Sequence, residues 1–330
     1  MTTAKNGKRL LITGGAGFIG SVLSGRALDA GFNVRVVDAL WFNKDIPLIH
    51  KGNPSYEFIR GDLRDSAVAE AALKGVEYIV HAAAIVGEPA CDKYPELTKQ
   101  INSEVSLDLI ERARNGKVKG FIFFSTCSNY GIADGLATEA TPLNPLSLYA
   151  KTKVGVERKL METTDMDWII CRLSTVYGYS PRMRFDLTIN DFTMNAFAKK
   201  YLGIFLPYTY RPYIHVHDLA NVIVTMLGNF ERVKNNVFNV GFNGENFQKM
   251  QIAEAVRKQL PDTKVEVVKS GMDRRDYQVD FTRLHNFLKV NNRFSLDSGI
   301  GEILSYLRDG LFADPYAGHF YNTNPDIGGK

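Results

Sequence analysis

The chain has 330 residues, 45% of them hydrophobic and 23% charged, which suits a globular protein of one large α/β unit and a smaller lobe. It lacks an apolar run of about eighteen residues, so no membrane span is expected, and no secretory signal precedes its first apolar strand, so a cytoplasmic location is expected. The net charge of +4 is small and the basic residues are scattered, so nucleic acid is not an expected partner.

The first half of the chain alternates between two patterns. Short apolar runs, rich in β-branched and aromatic residues, predict strands at Arg9–Thr13, Asn33–Val37, Glu57–Arg60, Tyr78–His81 and Gly120–Ser125. The segments between them predict helices at Phe18–Ala30, Ser66–Leu73 and Leu97–Arg114. This alternation is typical of an α/β fold of the Rossmann type, a doubly wound parallel sheet covered on both faces.

The second half is less regular. It predicts helices at Leu148–Glu162, Phe185–Lys200, Val216–Gly228, Gln248–Leu260 and Leu296–Arg308, and a strand at Trp168–Leu173. We assign residues 1–175 mainly to the Rossmann domain and 176–312 mainly to a smaller substrate-binding lobe, with 213–240 returning to the Rossmann domain. Residues 313–330 form a polar tail, rich in Asn, Pro and Gly, that we expect to be loosely ordered.

A glycine-rich turn, Thr13–Gly20, lies between the first strand and the first helix. Its glycines allow a tight turn and close approach of a pyrophosphate, and the helix start offers free N–H groups to the phosphates. The predicted cofactor-binding residues of this turn are Gly14, Gly17, Phe18, Ile19 and Gly20. A plain strand-to-helix turn could also use glycine, but the flanking strand and helix favour a dinucleotide site.

Other strand ends extend this site. Asp38 ends the second strand, where a carboxylate binds the adenine ribose and repels a 2′-phosphate, so NAD is favoured over NADP. The alternative is an acid that caps the next turn. Asp62 could bind the adenine amine or merely cap the following helix. The remaining predicted contacts are Leu63 after the third strand and Ala82, Ala83 and Ala84 after the fourth.

Two residues one turn apart on a predicted helix point to hydride chemistry. Tyr149 and Lys153 share a helix face, although such spacing is also common for surface pairs. A phenol is a poor base near neutral pH, and a neighbouring ammonium stabilises its phenolate. Oxidation of an alcohol needs such a base beside a hydride acceptor. Thr126, just past the fifth strand, could bond the same substrate hydroxyl, or be a turn residue.

Taken together, the chain resembles the extended short-chain dehydrogenases/reductases of the NAD-dependent nucleotide-sugar epimerase/dehydratase family. The matching segments are Thr13–Gly20, Asp38, Gly61–Asp65, His81–Ala84, Ser125–Gly131, Tyr149–Lys153, Arg172–Gly178 and Arg211–Asp218. The resemblance implies a tightly held NAD, a homodimer, and a catalytic triad of Thr126, Tyr149 and Lys153.

The same resemblance implies a nucleotide-diphosphate sugar as substrate. It implies that Arg211 clamps the diphosphate, with Pro212 in place of the usual Asp, and that Thr175 lies beside the sugar phosphates. The further implied substrate contacts are Val86, Thr126, Cys127, Ser128, Arg184, Arg274 and Arg275. Segments 85–89 and 180–186 resemble a subgroup that includes bacterial GDP-heptose 4-dehydrogenases. The resemblance treats His215 and His217 as structural, and no metal is expected.

The reaction is left open between several outcomes. Sugar 4,6-dehydratases of the family carry an adjacent Asp-Glu pair where this chain has Cys127 and Ser128, which disfavours elimination. Cys127 is either a weak acid or base or a buried thiol. We therefore expect oxidation at C4 of the sugar by an epimerase or a 4-dehydrogenase, with a 4-ketoreductase or 4,6-dehydratase as alternatives. A non-catalytic redox sensor is a further possibility, although such proteins typically lack the Tyr-Lys pair.

Overall fold

The computed structural model describes residues 7–269 and 275–326. Within them the strands are β1 (Arg9–Thr13), β2 (Asn33–Asp38), β3 (Tyr56–Arg60), β4 (Tyr78–His81), β5 (Gly120–Thr126), β6 (Ile132–Ala137), β7 (Asp167–Leu173), β8 (Thr175–Tyr177), β9 (Tyr201–Ile204), β10 (Tyr210–His215), β11 (Asn236–Val240), β12 (Asn246–Gln248), β13 (Lys264–Val267) and β14 (Asp276–Val279). The helices are α1 (Phe18–Asp29), α2 (Ser66–Leu73), α3 (Glu88–Lys93), α4 (Pro95–Lys99), α5 (Ser106–Asn115), α6 (Leu148–Met161), α7 (Thr188–Lys199), α8 (Val216–Gly228), α9 (Phe230–Val233), α10 (Lys249–Gln259), α11 (Thr282–Phe287) and α12 (Leu296–Arg308).

The central sheet has seven parallel strands in the order β3-β2-β1-β4-β5-β7-β11. The chain begins in the middle of the sheet and builds outward, first to one side and then to the other. Strand order therefore reverses between β1 and β4, where Thr13 pairs with His81. Ligands bind at such a reversal, beyond the carboxyl ends of the strands. The predicted doubly wound Rossmann-type sheet is confirmed.

Both faces of the central sheet are covered by helices. Along β1, Leu10 and Ile12 join a core with α1 and α8, whereas Leu11 joins a second core on the opposite face with α5 and α6. Successive side chains of a strand point to opposite faces, so both faces must be apolar. This explains why the strands are nearly continuous apolar runs in the sequence.

The smaller lobe packs above the carboxyl edge of the sheet. Helices α7, α10 and α12 contact one another, and three small sheets accompany them, β8-β10-β12, β9-β13 and β6-β14. Between these elements the chain returns to the large unit, because α8 packs on α1 and β11 pairs with β7. Among the described helices, none has both the length and the apolar composition to cross a membrane.

Two predicted helices differ from the observed ones. The segment expected as one α-helix at 97–114 is helical throughout, but a wide π-helical turn at Gln100–Val105 joins α4 to α5. Asn102 in this turn holds the backbone of Ile85, accepting from its N–H and donating to its carbonyl, each at 2.8 Å. The helix expected from Phe185 begins at Thr188, because residues 178–187 form an irregular segment, of which Arg182, Arg184 and Leu187 line the cleft.

Part of the predicted polar tail is packed against the rest of the protein. Phe320 packs its ring against Phe185 and Phe312, with centroids 5.4 and 5.5 Å apart. The carbonyl of Thr323 accepts a hydrogen bond from Lys93 Nζ at 2.8 Å, and the Asp326 N–H donates to a carbonyl of the large unit at 2.7 Å. We call residues 318–326 the C-terminal strap, since they cross from the lobe to the Rossmann unit.

Candidate active site

A cleft runs along the carboxyl edge of the central sheet, between the Rossmann unit and the lobe. All the residues predicted to bind the cofactor line it. They are Gly14, Gly17, Phe18, Ile19, Gly20, Asp38, Asp62, Leu63, Ala82, Ala83, Ala84, Tyr149 and Lys153. Residues from five separate stretches of sequence therefore share one wall, because parallel strands end at the same edge.

The close packing of the glycine-rich turn depends on its glycines, because a Cβ at Gly14 or Gly20 would overlap the protein's own backbone. Gly14 has φ +67°, and a Cβ there would lie 2.8 Å from the Ala83 Cα. A Cβ on Gly20 would lie 2.6 Å from the Gly15 Cα. Gly17 precedes α1 without a side-chain cap, so no side chain of its own covers the first N–H groups of that helix. This cradle fits the pyrophosphate of a dinucleotide.

Asp38 is positioned by the backbone of the turns around it. Its carboxylate accepts from the Leu40 N–H at 2.8 Å and from the Ala16 N–H at 3.0 Å. Burial raises the pKa of this carboxyl, while the two backbone donors and the charge of Arg182 oppose the rise. A carboxylate offers about four acceptor positions, so two remain for the hydroxyls of a ribose.

Replacing Asp38 with serine should raise the preference for NADP over NAD at least about tenfold, because a buried carboxylate repels a 2′-phosphate and a hydroxyl does not. Dissociation constants of the two cofactors, measured by fluorescence titration, test this. Asp62→Ser is the matched control, since Asp62 lines the same cleft but pairs with Arg64 at 2.7 Å. An unchanged NADP/NAD ratio in Asp38→Ser would remove Asp38 from the ribose site.

The three predicted catalytic residues meet at the middle of the cleft. Thr126 ends β5, and Tyr149 and Lys153 lie on the first two turns of α6, whose start is capped by the Ser147 hydroxyl accepting from the Ala150 N–H at 3.3 Å. Thr126 lies close enough to Tyr149 for its side chain to lower the pKa of the phenol. Lys153 Nζ lies 5.9 Å from the centroid of the Tyr149 ring and 4.8 Å from that of Phe123.

Burial is the largest cause of the pKa shifts of the titratable groups here. It raises the pKa of Tyr149, while Arg184 and the side chain of Thr126 act in the opposite direction. Burial also lowers the pKa of Lys153 to about 8 and that of His81 to about 3. His81 is therefore neutral, and its ring nitrogens lie 2.7 Å from Thr13 Oγ1 and 2.9 Å from Ser106 Oγ. Perturbed groups gathered in one cleft are typical of a functional site.

Most residues predicted to bind the substrate also line the cleft. They are Val86, Thr126, Ser128, Thr175, Arg184 and Arg275. Arg275 Nη1 lies 2.9 Å from Glu88 Oε1 and 3.4 Å from Ser128 Oγ, so it spans from the lobe to the Rossmann unit. The Tyr277 hydroxyl lies 3.2 Å from Ser128 Oγ. This end of the cleft therefore combines cations and hydroxyls, a chemistry that suits phosphates and sugar hydroxyls.

Two of the remaining predicted substrate contacts lie elsewhere. Cys127 does not line the cleft, because its thiol turns toward β7 and donates to the Arg172 carbonyl at 3.2 Å, and burial raises its pKa. Arg211 lies behind the wall, with its guanidinium carbon 5.0 Å from the centroid of the Tyr277 ring. Arg274 lies outside the described residues.

The two histidines of the Arg211–Asp218 segment serve packing. His215 Nε2 lies 2.9 Å from Glu302 Oε2, and the His215 ring stacks on Phe294 with centroids 3.7 Å apart. His217 stacks beside His215. In the parts of the chain that the structure describes, no group of three or more potential ligands is arranged to hold a metal ion.

The cleft residues that were not predicted from the sequence include Arg182, Tyr277 and Asn322. Arg182 lies in segment 180–186, on which the subgroup resemblance rests, and Tyr277 lies two residues after the predicted contact Arg275, so their positions gave a usable signal. Asn322 gave none, because the C-terminal strap brings it to the cleft through contacts with residues far away in sequence, among them Arg182 and Val86.

The sequence model of the NAD dependent epimerase/dehydratase family matches residues 10–241. A dTDP-glucose 4,6-dehydratase of Streptomyces niveus is 27% identical, covering 91% of this chain and 93% of its own. A putative UDP-glucose 4-epimerase of Methanocaldococcus jannaschii is also 27% identical, covering 86% and 99%. The crystal structure of a Bacillus cereus UDP-glucuronic acid 4-epimerase, in complex with UDP-glucuronic acid and NAD, is 25% identical with a TM-score of 0.83, covering 91% and 99%. The chain therefore belongs to the NAD-dependent epimerase/dehydratase family of extended short-chain dehydrogenases/reductases.

Proposed function

We propose that this protein oxidises a nucleotide-linked sugar at C4, as a sugar-nucleotide epimerase or 4-dehydrogenase. The observation that carries the proposal is the meeting of Tyr149, Thr126 and Lys153 in the cleft that the glycine-rich turn also lines. NAD, when bound, supplies the hydride acceptor. The related epimerase and dehydratase support a nucleotide-sugar substrate, since the printed name of each includes a nucleotide-linked glucose.

In this proposal Tyr149 removes the proton from the C4 hydroxyl. Thr126 lines the cleft with Tyr149, and its hydroxyl is the proposed second hydrogen-bond partner of the substrate hydroxyl. Lys153 lies behind the ring with its ammonium facing Tyr149, which favours the phenolate. Thr175, Arg184 and Arg275 are the proposed contacts of the diphosphate and sugar, since each lines the cleft and offers a hydroxyl or a guanidinium.

Elimination of water is disfavoured, because the two residues that follow Thr126 are not acids. A 4,6-dehydratase needs an acid and a base near the sugar. Cys127 is buried away from the cleft and Ser128 is a hydroxyl paired with Tyr277. Among the described residues, the carboxylates lining the cleft are Asp38 and Asp62 at the cofactor end and Glu88, which is ion-paired with Arg275.

Product analysis tests the reaction. We would incubate the protein with NAD and a panel of UDP-, GDP-, dTDP- and CDP-sugars, then separate the products by chromatography with mass detection. An epimerase gives a product of unchanged mass at a new retention time. A 4-dehydrogenase gives a product lacking two hydrogens, together with NADH, and activity on a GDP-heptose would support the subgroup resemblance. Loss of water would contradict the proposal and favour a 4,6-dehydratase.

The same assay also tests for a 4-ketoreductase and for a redox sensor. Consumption of NADH with a 4-ketosugar as substrate would favour a 4-ketoreductase. Absence of any turnover, together with partner binding that depends on NAD or NADH, would favour a redox sensor. The homodimer and the cytoplasmic location remain predictions, and light scattering during size-exclusion chromatography measures the first.

A further inference from the structure

One arginine in the cleft has no role in the proposed chemistry. Arg182 is buried, with 3% of its surface exposed, and its Nε atom has no hydrogen-bond partner. No carboxylate of residues 7–269 and 275–326 lies within ion-pairing distance of it. A buried guanidinium without an anion is costly, so an unpaired one at a ligand cleft calls for an explanation.

The surroundings of Arg182 point to the cofactor end of the cleft. Its guanidinium carbon lies 4.2 Å from the centroid of the Phe42 ring, in the loop that follows Asp38. Ser180, two residues before it, donates from its hydroxyl to the Phe18 carbonyl at 2.7 Å. The segment carrying Arg182 is thus fixed to the first turn of α1, where the glycine-rich turn forms its cradle.

The C-terminal strap holds this arginine in place. Arg182 Nη2 donates to Asn322 Oδ1 at 2.7 Å. Asn322 is itself held from two sides, because its N–H donates to Asp186 Oδ2 at 3.2 Å and its Nδ2 donates to the Val86 carbonyl at 3.3 Å. Stacking on Phe42 and the bond to Asn322 fix the plane of the guanidinium, and its Nε is buried without a hydrogen-bond partner.

The charge of Arg182 is also unusual. Burial and the neighbouring Arg184 lower its pKa to about 9, whereas Asp186 and Asp38 oppose this shift. The carboxylates do not neutralise it by direct contact. Asp186 pairs with Arg184, at 2.8 Å from Nη2, and Asp38 accepts from two backbone N–H groups. An anion bound beside Arg182 would therefore stabilise it.

We propose that Arg182 is a ligand of the cofactor's diphosphate, working from the lobe side opposite the helix N-terminus, and that Asn322 positions it. A planar guanidinium held in one orientation suits two phosphate oxygens, and here it adds the positive charge that the glycine-rich turn itself lacks. The lobe and the C-terminal strap would then take part in holding the dinucleotide. The proposal rests on dinucleotide binding in this cleft and is independent of which sugar is oxidised.

Binding of nucleotide fragments tests this role without turnover. On nucleotide-free protein, Arg182→Met should weaken ADP and NAD by about 10- to 100-fold, because it loses a charged hydrogen bond. Adenosine, which has no phosphate, should bind as in the wild type. Isothermal titration of the three probes measures this. Arg26→Met is the control, since Arg26 lies on α1 but pairs with Asp29 and Asn221 outside the cleft.

Two further variants distinguish the loss of a phosphate contact from misfolding of the protein. Arg182→Lys keeps a charge and should recover part of the ADP affinity, and Asn322→Leu should weaken ADP by a smaller factor than Arg182→Met. Equal losses for adenosine and ADP would overturn the proposal, because Arg182 would then support the whole pocket. So would unchanged ADP binding. Failure of the sugar assay would leave these results standing, because no sugar is present in the titration.

Discussion

Replacing Tyr149 with phenylalanine should lower kcat by about 10²- to 10⁴-fold while NAD still binds, because the change removes one phenolic oxygen and leaves the ring in place. The ring packs in a small core with Ile85, Cys91 and Ile101, which phenylalanine can also fill. NAD affinity, measured by titration, serves as the control for an intact cleft. A fully active Tyr149→Phe protein would contradict the assignment of the base.

Comparing the pH dependence of the rate in the wild type and in Tyr149→Phe tests whether the phenol of Tyr149 is the base. Burial raises the pKa of Tyr149 above its ordinary value, so the deprotonated form is scarce at neutral pH and the rate should rise as pH rises. Lys153, whose pKa is lowered to about 8, loses its charge over the same range and should limit that rise above about pH 8. The residual activity of Tyr149→Phe should lack the rise, since no phenol remains to titrate.

Local sequence patterns were enough to select residues that the fold brings together in one cleft. The glycine-rich turn, Asp38 and the paired Tyr149 and Lys153 each depend on an element boundary or a helical spacing. Such features are set by a few neighbouring residues, and the parallel sheet then brings the strand ends together. This is why all the predicted cofactor residues line one cleft.

The substrate end could not be predicted in the same way. Cys127 follows Thr126 directly, but the 3₁₀ turn that begins there sends its thiol back to the Arg172 carbonyl on the neighbouring strand. Arg211 lies on a strand of the lobe whose register against β8 and β12 decides where its side chain points. Asn322 reaches Arg182 across 140 positions of sequence. Each depends on tertiary packing that no local pattern records.

A buried ion pair holds α6, which carries the proposed catalytic residues Tyr149 and Lys153, against the sheet. Glu157, one turn beyond Lys153 on α6, is fully buried, and its carboxylate lies 2.8 Å from Arg172 Nη2 on β7. It also accepts from Asn129 Nδ2 at 2.8 Å and from the Ser125 hydroxyl at the end of β5. The network therefore ties α6 to two neighbouring strands directly beside the catalytic residues.

Glu157→Ala should lower the free energy of unfolding by about 3–5 kcal/mol, because it leaves the Arg172 guanidinium buried without its anion. Thermal or urea unfolding measures the loss. Glu111→Ala is the matched control, since Glu111 pairs with Arg114 at 2.7 Å but is 43% exposed, and solvent screening limits its contribution to about 0–1 kcal/mol. The double variant Glu157→Met with Arg172→Met should recover part of the loss, because it removes the orphaned charge as well. If Glu157→Ala costs no more than Glu111→Ala, the buried pair does not hold α6 in place, and the position of Tyr149 must depend on apolar packing alone.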